Sequence, residues 1–303
     1  MAELTLSNYL GLLLEDPYDT ELVDGLRELL KSPGPANDDQ DPLRLLEAAR
    51  GGHERRGEFL AASWLIELET ELIRDDPDFQ KVLVKELGRV RRDELMDDRG
   101  ALVAYEKLGG VDSEDPEVAQ AVDQIQQVED KWAEVARRFI EEARDAADPR
   151  LKTSLLTRAA SLMWQYGGDA TVDETDAIFD EALAADPSHM CTARQYALSL
   201  RARGRWEDVV SVFVRAARAA RTREEKASAW LQAARVLRRS LEDTVRASDA
   251  YLKVLEFSPT DEEALGALVE YYTDLEAWDE LAEMYESALR SRQELQAEKG
   301  MLL

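Results

Sequence analysis

The sequence predicts an all-α protein in which antiparallel helix pairs stack on one another. Three observations lead to this prediction: a composition rich in helix-forming residues, prolines that divide the chain into helix-length segments, and an internal repeat of about 34 residues. No segment shows the strict alternation of apolar and polar residues that indicates a half-buried β-strand.

Alanine, leucine, glutamate and arginine are abundant, whereas the chain has only 15 Gly and 9 Pro among its 303 residues. The abundant residues are those with high helix propensity. Apolar residues also recur at helical spacing, as in the stripe formed by Trp278, Leu281, Ala282 and Tyr285. Composition and periodicity therefore agree on α-helices.

Proline marks the joints between these helices. Its ring drives the preceding residue out of the helical conformation but fits a first helical turn, and Asp or Ser suits an N-cap. Each Asp-Pro or Ser-Pro dipeptide is therefore interpreted as a boundary between helices. These dipeptides are Asp16-Pro17, Asp41-Pro42, Asp76-Pro77, Asp115-Pro116, Asp148-Pro149, Asp186-Pro187 and Ser258-Pro259.

An internal repeat gives the helices their arrangement. Three segments share a tryptophan, an aliphatic residue three positions later and an aromatic residue four positions after that. A second series, offset by half the distance, ends in proline. Because a helix pair of this size cannot bury its apolar face alone, we expect the recurring aromatic residues to be buried between pairs. The first series is Trp132, Val135, Phe139; Trp206, Val209, Phe213; and Trp278, Leu281, Tyr285; the second is Phe179, Ala182, Leu183, Pro187 and Tyr251, Val254, Leu255, Pro259.

These residues resemble the signature of the tetratricopeptide repeat (TPR) family. That family has a small or aromatic residue early in its first helix, alanine and an aromatic residue four positions later in its second, and a closing proline. The resemblance implies a right-handed α-solenoid, a TPR-like superhelix whose inner wall is formed by the first helix of each pair. The best-matched copy contains Trp230, Ala233, Ala234, Leu237, Ala247, Tyr251 and Pro259.

The resemblance divides the chain into three parts. Residues 150–293 match the repeat well, whereas residues 1–149 are interpreted as degenerate TPR-like helix pairs. Residues 32–42 are rich in Pro, Gly, Asn and Asp, which predicts a loop. We expect the last repeat to end near Ser291, and residues 294–303 to begin a further helix or to form a tail.

The sequence predicts neither an enzyme nor a metal or cofactor site. It has two histidines, His53 and His189, and His189 with Cys191 would supply at most two of the four ligands of a structural zinc site. It contains no Gly-rich phosphate loop, nucleophile elbow or zinc-protease motif. No catalytic residue is therefore assigned.

The charge of the chain limits its partners. A formal net charge of −26 predicts neither nucleic acid nor an anionic membrane as a partner, because phosphate groups would be repelled by most of this surface. No apolar run is long enough for membrane insertion. A single cysteine, Cys191, favours a reducing, cytoplasmic location.

One window departs from this acidity. Between Cys191 and Arg246 there are 13 basic and 6 acidic residues, a net charge of +7 against −33 for the rest of the chain. The repeat register of the TPR resemblance places part of this window on the inner wall, together with Ser228 and Gln232, where a basic groove would bind an acidic peptide. The residues expected to bind such a partner are Arg194, Gln195, Leu198, Arg201, Leu231, Arg235, Arg238 and Arg239.

A second interpretation of this window stays open, in which the arginines neutralise acidic residues of neighbouring helices. The sequence as a whole predicts a protein–protein interaction scaffold or adaptor. The alternative function is an assembly or regulatory subunit that self-associates through its helical surface.

Overall fold

The computed structural model describes residues 5–31, 41–73 and 75–301, with side chains up to Ser291. These residues form 16 α-helices and no β-strand, which confirms the all-α prediction. A π-helical segment, Val90–Glu94, and two 3₁₀ turns complete the secondary structure. No described helix combines the length and the apolar character needed to cross a membrane.

The chain forms two compact units. The first comprises Met1–Arg137 and Ser161–Gly168, and the second comprises Arg138–Ala160 and Asp169–Leu303. Helices α8 (Trp132–Asp145) and α9 (Pro149–Tyr166) contribute residues to both. The first unit contains α1 (Leu6–Glu15), α2 (Thr20–Lys31), α3 (Pro42–Arg56), α4 (Phe59–Leu72), α5 (Pro77–Arg89), α6 (Asp98–Glu106) and α7 (Pro116–Asp130).

The second unit continues the same pattern of consecutive helices. Each helix from α10 to α15 packs against the next one in the chain. Phe179 and Tyr196 stack with their ring centroids 4.9 Å apart and join the first two of these helices. The helices are α10 (Val172–Ala185), α11 (Met190–Arg201), α12 (Trp206–Ala219), α13 (Arg223–Arg239), α14 (Thr244–Phe257), α15 (Glu262–Asp274) and α16 (Trp278–Met301).

The proline joints lie at helix boundaries, as the sequence predicts. Asp41, Asp76 and Asp115 are N-caps whose carboxylates accept backbone hydrogen bonds, and each is followed by proline in the first helical turn. Asp186 and Ser258 instead close α10 and α14. Of the predicted loop at 32–42, residues 32–40 lie outside the described part of the chain.

The prediction for the recurring aromatic residues is confirmed at three positions and wrong at two. Phe179, Phe213 and Tyr251 are buried, whereas Trp278 and Tyr285 are 58% and 45% exposed. The physical reason is that both exposed side chains belong to α16, which packs on α15 but has no following described helix to cover its other face. The remaining members of the series, Trp132, Phe139 and Trp206, are partly buried.

Helix α16 also runs through the predicted end of the last repeat. The backbone is helical without a break from Trp278 to Met301. No helix boundary occurs near Ser291, because the residues after it contain no proline and only one late glycine, Gly300.

Candidate partner-binding surfaces

Arg235 and Arg238 of the predicted basic groove are engaged within the second unit. Arg235 is 3% exposed, and its Nε and Nη2 donate to Glu263 on α15 at 2.8 and 2.6 Å. Arg238 forms an ion pair with Glu270 on the same helix. In a bidentate, buried pair such as Arg235–Glu263, the guanidinium already donates the N–H groups with which it would bind the carboxylate of a ligand.

The other predicted residues lie on α11 and α13 at different depths. Gln195 and Leu231 are buried in the packing between helices, and Arg194 and Leu198 are partly buried. Arg201 places its guanidinium 5.9 Å from the centre of the Trp206 ring. Arg239 is exposed.

Most remaining arginines of the basic window pair with carboxylates of neighbouring helices. Arg203 and Arg205 both bind Asp176 on α10, with nitrogen–oxygen distances of 2.6 and 2.5 Å. Arg246 on α14 donates to Glu207 on α12 at 2.6 and 3.0 Å. This arrangement matches the second interpretation, in which the arginines offset the acidity of the adjacent helices.

The first unit contains a groove that was not anticipated from the sequence. It has a volume of about 740 Å³ and runs between α3, α5 and α7, and we call it the α5 groove. Phe79 and Val82, one helical turn apart on α5, line it with 44% and 59% of their surfaces exposed. Two apolar side chains are thus exposed to solvent beside a cavity that is large enough to hold a peptide segment.

Charged groups of both signs surround this apolar pair. The cations among the lining residues are Arg50, Lys85, Arg89 and Arg92, and the anions are Glu47, Glu86, Asp93 and Glu117. Four positive and four negative charges leave the groove formally neutral, in contrast to the net charge of −26 of the whole chain.

Ion pairs fix the side chains of this rim. Lys85 Nζ lies 2.7 Å from Asp115 and 2.5 Å from Glu117, and hydrogen bonds to both carboxylates raise the pKa of Lys85. Arg89 grips Glu86 with two nitrogens at 2.9 and 2.6 Å, which lowers the pKa of Glu86. Lys85 and Glu86 are therefore both charged at neutral pH.

Close packing of α6 on α5 closes one side of the groove. Tyr105 of α6 is 3% exposed and lies against Gly88 of α5, where an added Cβ would overlap the tyrosine ring. Burial raises the pKa of Tyr105, so its hydroxyl stays protonated. The π-helical segment that follows α5 supplies Arg92 and Asp93 to the lining, and such segments recur at functional sites.

Both histidines have partners within the fold. His53 is fully buried with its Nδ1 2.7 Å from Glu58 Oε2, and His189 caps α11 by accepting from the Thr192 backbone. Within the described part of the chain, no group of three or more His, Cys, Asp or Glu side chains is arranged to hold a metal ion.

Two comparisons with known proteins were made for the chain. No protein-family model matches the chain, and a search of curated proteins finds no match.

Proposed function

We propose that this chain is a protein-binding scaffold or adaptor, and that the α5 groove binds a segment of another polypeptide. The observation that carries the proposal is the exposure of Phe79 and Val82 beside a groove of about 740 Å³. Grooves with an apolar centre and a polar rim are typical of peptide recognition, because the apolar pair anchors the ligand and the rim orients it. A TPR-like solenoid, which the sequence predicts, would suit this role.

The chemistry of the groove defines its ligand. Two apolar side chains of the ligand would cover Phe79 and Val82, and charges of either sign would find a partner among the paired residues of the rim. The neutral groove therefore favours an amphipathic segment of mixed charge. An acidic peptide remains the ligand expected for the predicted basic groove, where Arg235 and Arg238 would have to exchange an internal partner for it.

Selection of peptides against the whole chain tests this proposal. A library of random peptides would be selected on the immobilised protein, and the affinity of recovered peptides measured by fluorescence anisotropy. We expect peptides with two apolar anchors, whose affinity falls by about tenfold or more when Phe79 and Val82 are both changed to Ser.

The first unit offers a matched control. Val103 and Val111 are 55% and 53% exposed but do not line the α5 groove, so changing both to Ser should leave peptide affinity unaltered. Recovery only of peptides that bind both double variants as well as the wild type would overturn the proposal. Light scattering of the same samples tests self-association, the alternative function.

A further inference from the structure

The outer face of α16 is an apolar surface that no other described helix covers. One side of this helix carries Trp278, Tyr285 and Leu289, which are 58%, 45% and 57% exposed. Tyr285 follows Trp278 by seven residues and Leu289 follows it by eleven, spacings that place all three on the same helix face. We call these three residues the α16 face.

Helix α12 shows what such a face requires. Each α16 residue has a counterpart 72 positions earlier, so that Tyr285 corresponds to Phe213, Leu289 to Ala217 and Ala282 to Val210. In α12 these counterparts are 0%, 1% and 8% exposed. They are covered because α12 packs against α13. The same repeat position is thus buried when a helix lies on it and open when none does.

The helix that covers α12 has a definite chemistry. Helix α13 presents small and apolar residues, among them Ala227, Leu231 and Ala234, to its neighbours. It also carries five basic and two acidic residues, a net charge of +3. Helix α13 therefore combines small and apolar contact residues with a net positive charge.

The charge of α16 calls for a helix of the same kind. From Trp278 to Ser291 this helix has four acidic residues, Asp279, Glu280, Glu283 and Glu286, against the single cation Arg290, a net charge of −3. A second copy of α16 would bring another −3 to the same surface, and like charges at an interface oppose association. A basic helix would instead be attracted and would bury the apolar patch.

We propose that the α16 face is a docking surface for a basic amphipathic helix of a partner protein, which lies on α16 as α13 lies on α12. The partner helix would have small and apolar residues along one side and Lys or Arg along its flanks. This surface belongs to the second unit, so the proposal is independent of the α5 groove.

A peptide with the sequence of α13, residues 223–239, is a direct probe. Labelled with a fluorophore, it would be titrated with the full chain and followed by anisotropy. We expect saturable binding that weakens by about tenfold or more in the Tyr285→Ser/Leu289→Ser variant. A second peptide, with its five basic residues replaced by Gln, should bind about tenfold more weakly, and added salt should reduce this difference.

Matched variants separate this surface from others. Val245 on α14 is 60% exposed, and Val245→Ser should leave binding unchanged, as should Phe79→Ser/Val82→Ser in the α5 groove. Circular dichroism would verify that every variant is folded. The proposal is overturned if the peptide does not bind, if the α16 substitutions leave its affinity intact, or if the Gln peptide binds equally well. It is also overturned if the chain dimerises and Tyr285→Ser/Leu289→Ser abolishes the dimer, since the occupant would then be a second copy.

Discussion

Helices α12 and α16 carry the same sequence signature in different surroundings. Both begin with tryptophan, and both place an aromatic residue seven positions later, yet Phe213 is fully buried and Tyr285 is 45% exposed. The difference arises because α13 packs on α12, whereas no described helix follows α16. A repeat signature therefore specifies a surface that can be covered, and the neighbouring helix determines whether it is.

The turns before the two helices are alike even though their residues differ. Gly204 and Glu276, 72 residues apart, both have positive φ, at 67° and 54°. Their amides donate to equivalent carbonyls, those of Arg201 and Thr273, at 3.0 Å in each case. The turn geometry is thus common to both pairs, and glycine meets it without strain whereas glutamate does not.

Truncating the aromatic residue should give the largest effect and the widest difference between the two helices. Phe213→Ala removes a fully buried ring and should lower the free energy of unfolding by about 3–5 kcal/mol. Tyr285→Ala should cost less than about 1 kcal/mol, because nearly half of that side chain is already in water. Urea unfolding followed by circular dichroism measures both.

A conservative change provides the control for this experiment. Phe213→Leu keeps most of the volume and should cost less than about 1.5 kcal/mol. Equal losses for Phe213→Ala and Tyr285→Ala would mean that the α16 face is covered in solution, and would remove the contrast between the helices.

Substitutions of the two turn residues should change stability by an intermediate amount, and the two changes should have opposite signs. Gly204→Ala places a Cβ at positive φ and should destabilise the protein by about 1–2 kcal/mol, although only the Trp206 Nε1 atom lies within 4.0 Å of it. Glu276→Gly relieves the same strain but adds unfolded-state entropy, so we expect a gain of about 0.5 kcal/mol.

Gly266, inside α15, is the matched control, because a Cβ there meets no atom within 4 Å. Gly266→Ala should stabilise by about 0.5–1 kcal/mol through helix propensity. Thermal unfolding of the three variants tests the set, and a neutral Gly204→Ala would contradict the requirement for glycine at this turn.

The smallest effect concerns Glu207, the acidic residue that follows Trp206 in α12. Hydrogen bonds from Arg246 lower the pKa of Glu207 below its ordinary 4.5. A carboxylate with a lowered folded-state pKa contributes stability that is fully present above 4.5 and is lost as the pH falls through the folded value. The side chains of Glu207 and Arg246 are both about half exposed, so this ion pair contributes little to the stability of the fold.

Glu207→Gln should therefore narrow the change in urea midpoint between neutral pH and pH values below 4.5. The midpoint measured across this range for the wild type and the variant tests the prediction. An unaltered pH profile would show that the pair between α12 and α14 does not stabilise the fold.

The sequence alone predicted the helices, but it could not show which arginines have partners within the fold. The Asp-Pro joints and the helical stripes depend on backbone conformation and side-chain capping within a few residues, and they lie where expected. The basic groove depended on arginines such as Arg235, whose partner Glu263 is 28 residues away. The α5 groove depends on three helices that no single motif connects.

What the sequence determined by itself is the helix boundaries marked by Asp-Pro and Ser-Pro, and the helix faces that are apolar, because helix propensity, proline geometry and capping are local properties. Tertiary structure alone decided which apolar faces are covered and which arginines are paired. Phe213 and Tyr285 occupy the same position of the same motif, but α13 packs on α12 whereas no described helix follows α16. Burial is a property of two surfaces together, so the residue at one position cannot fix it.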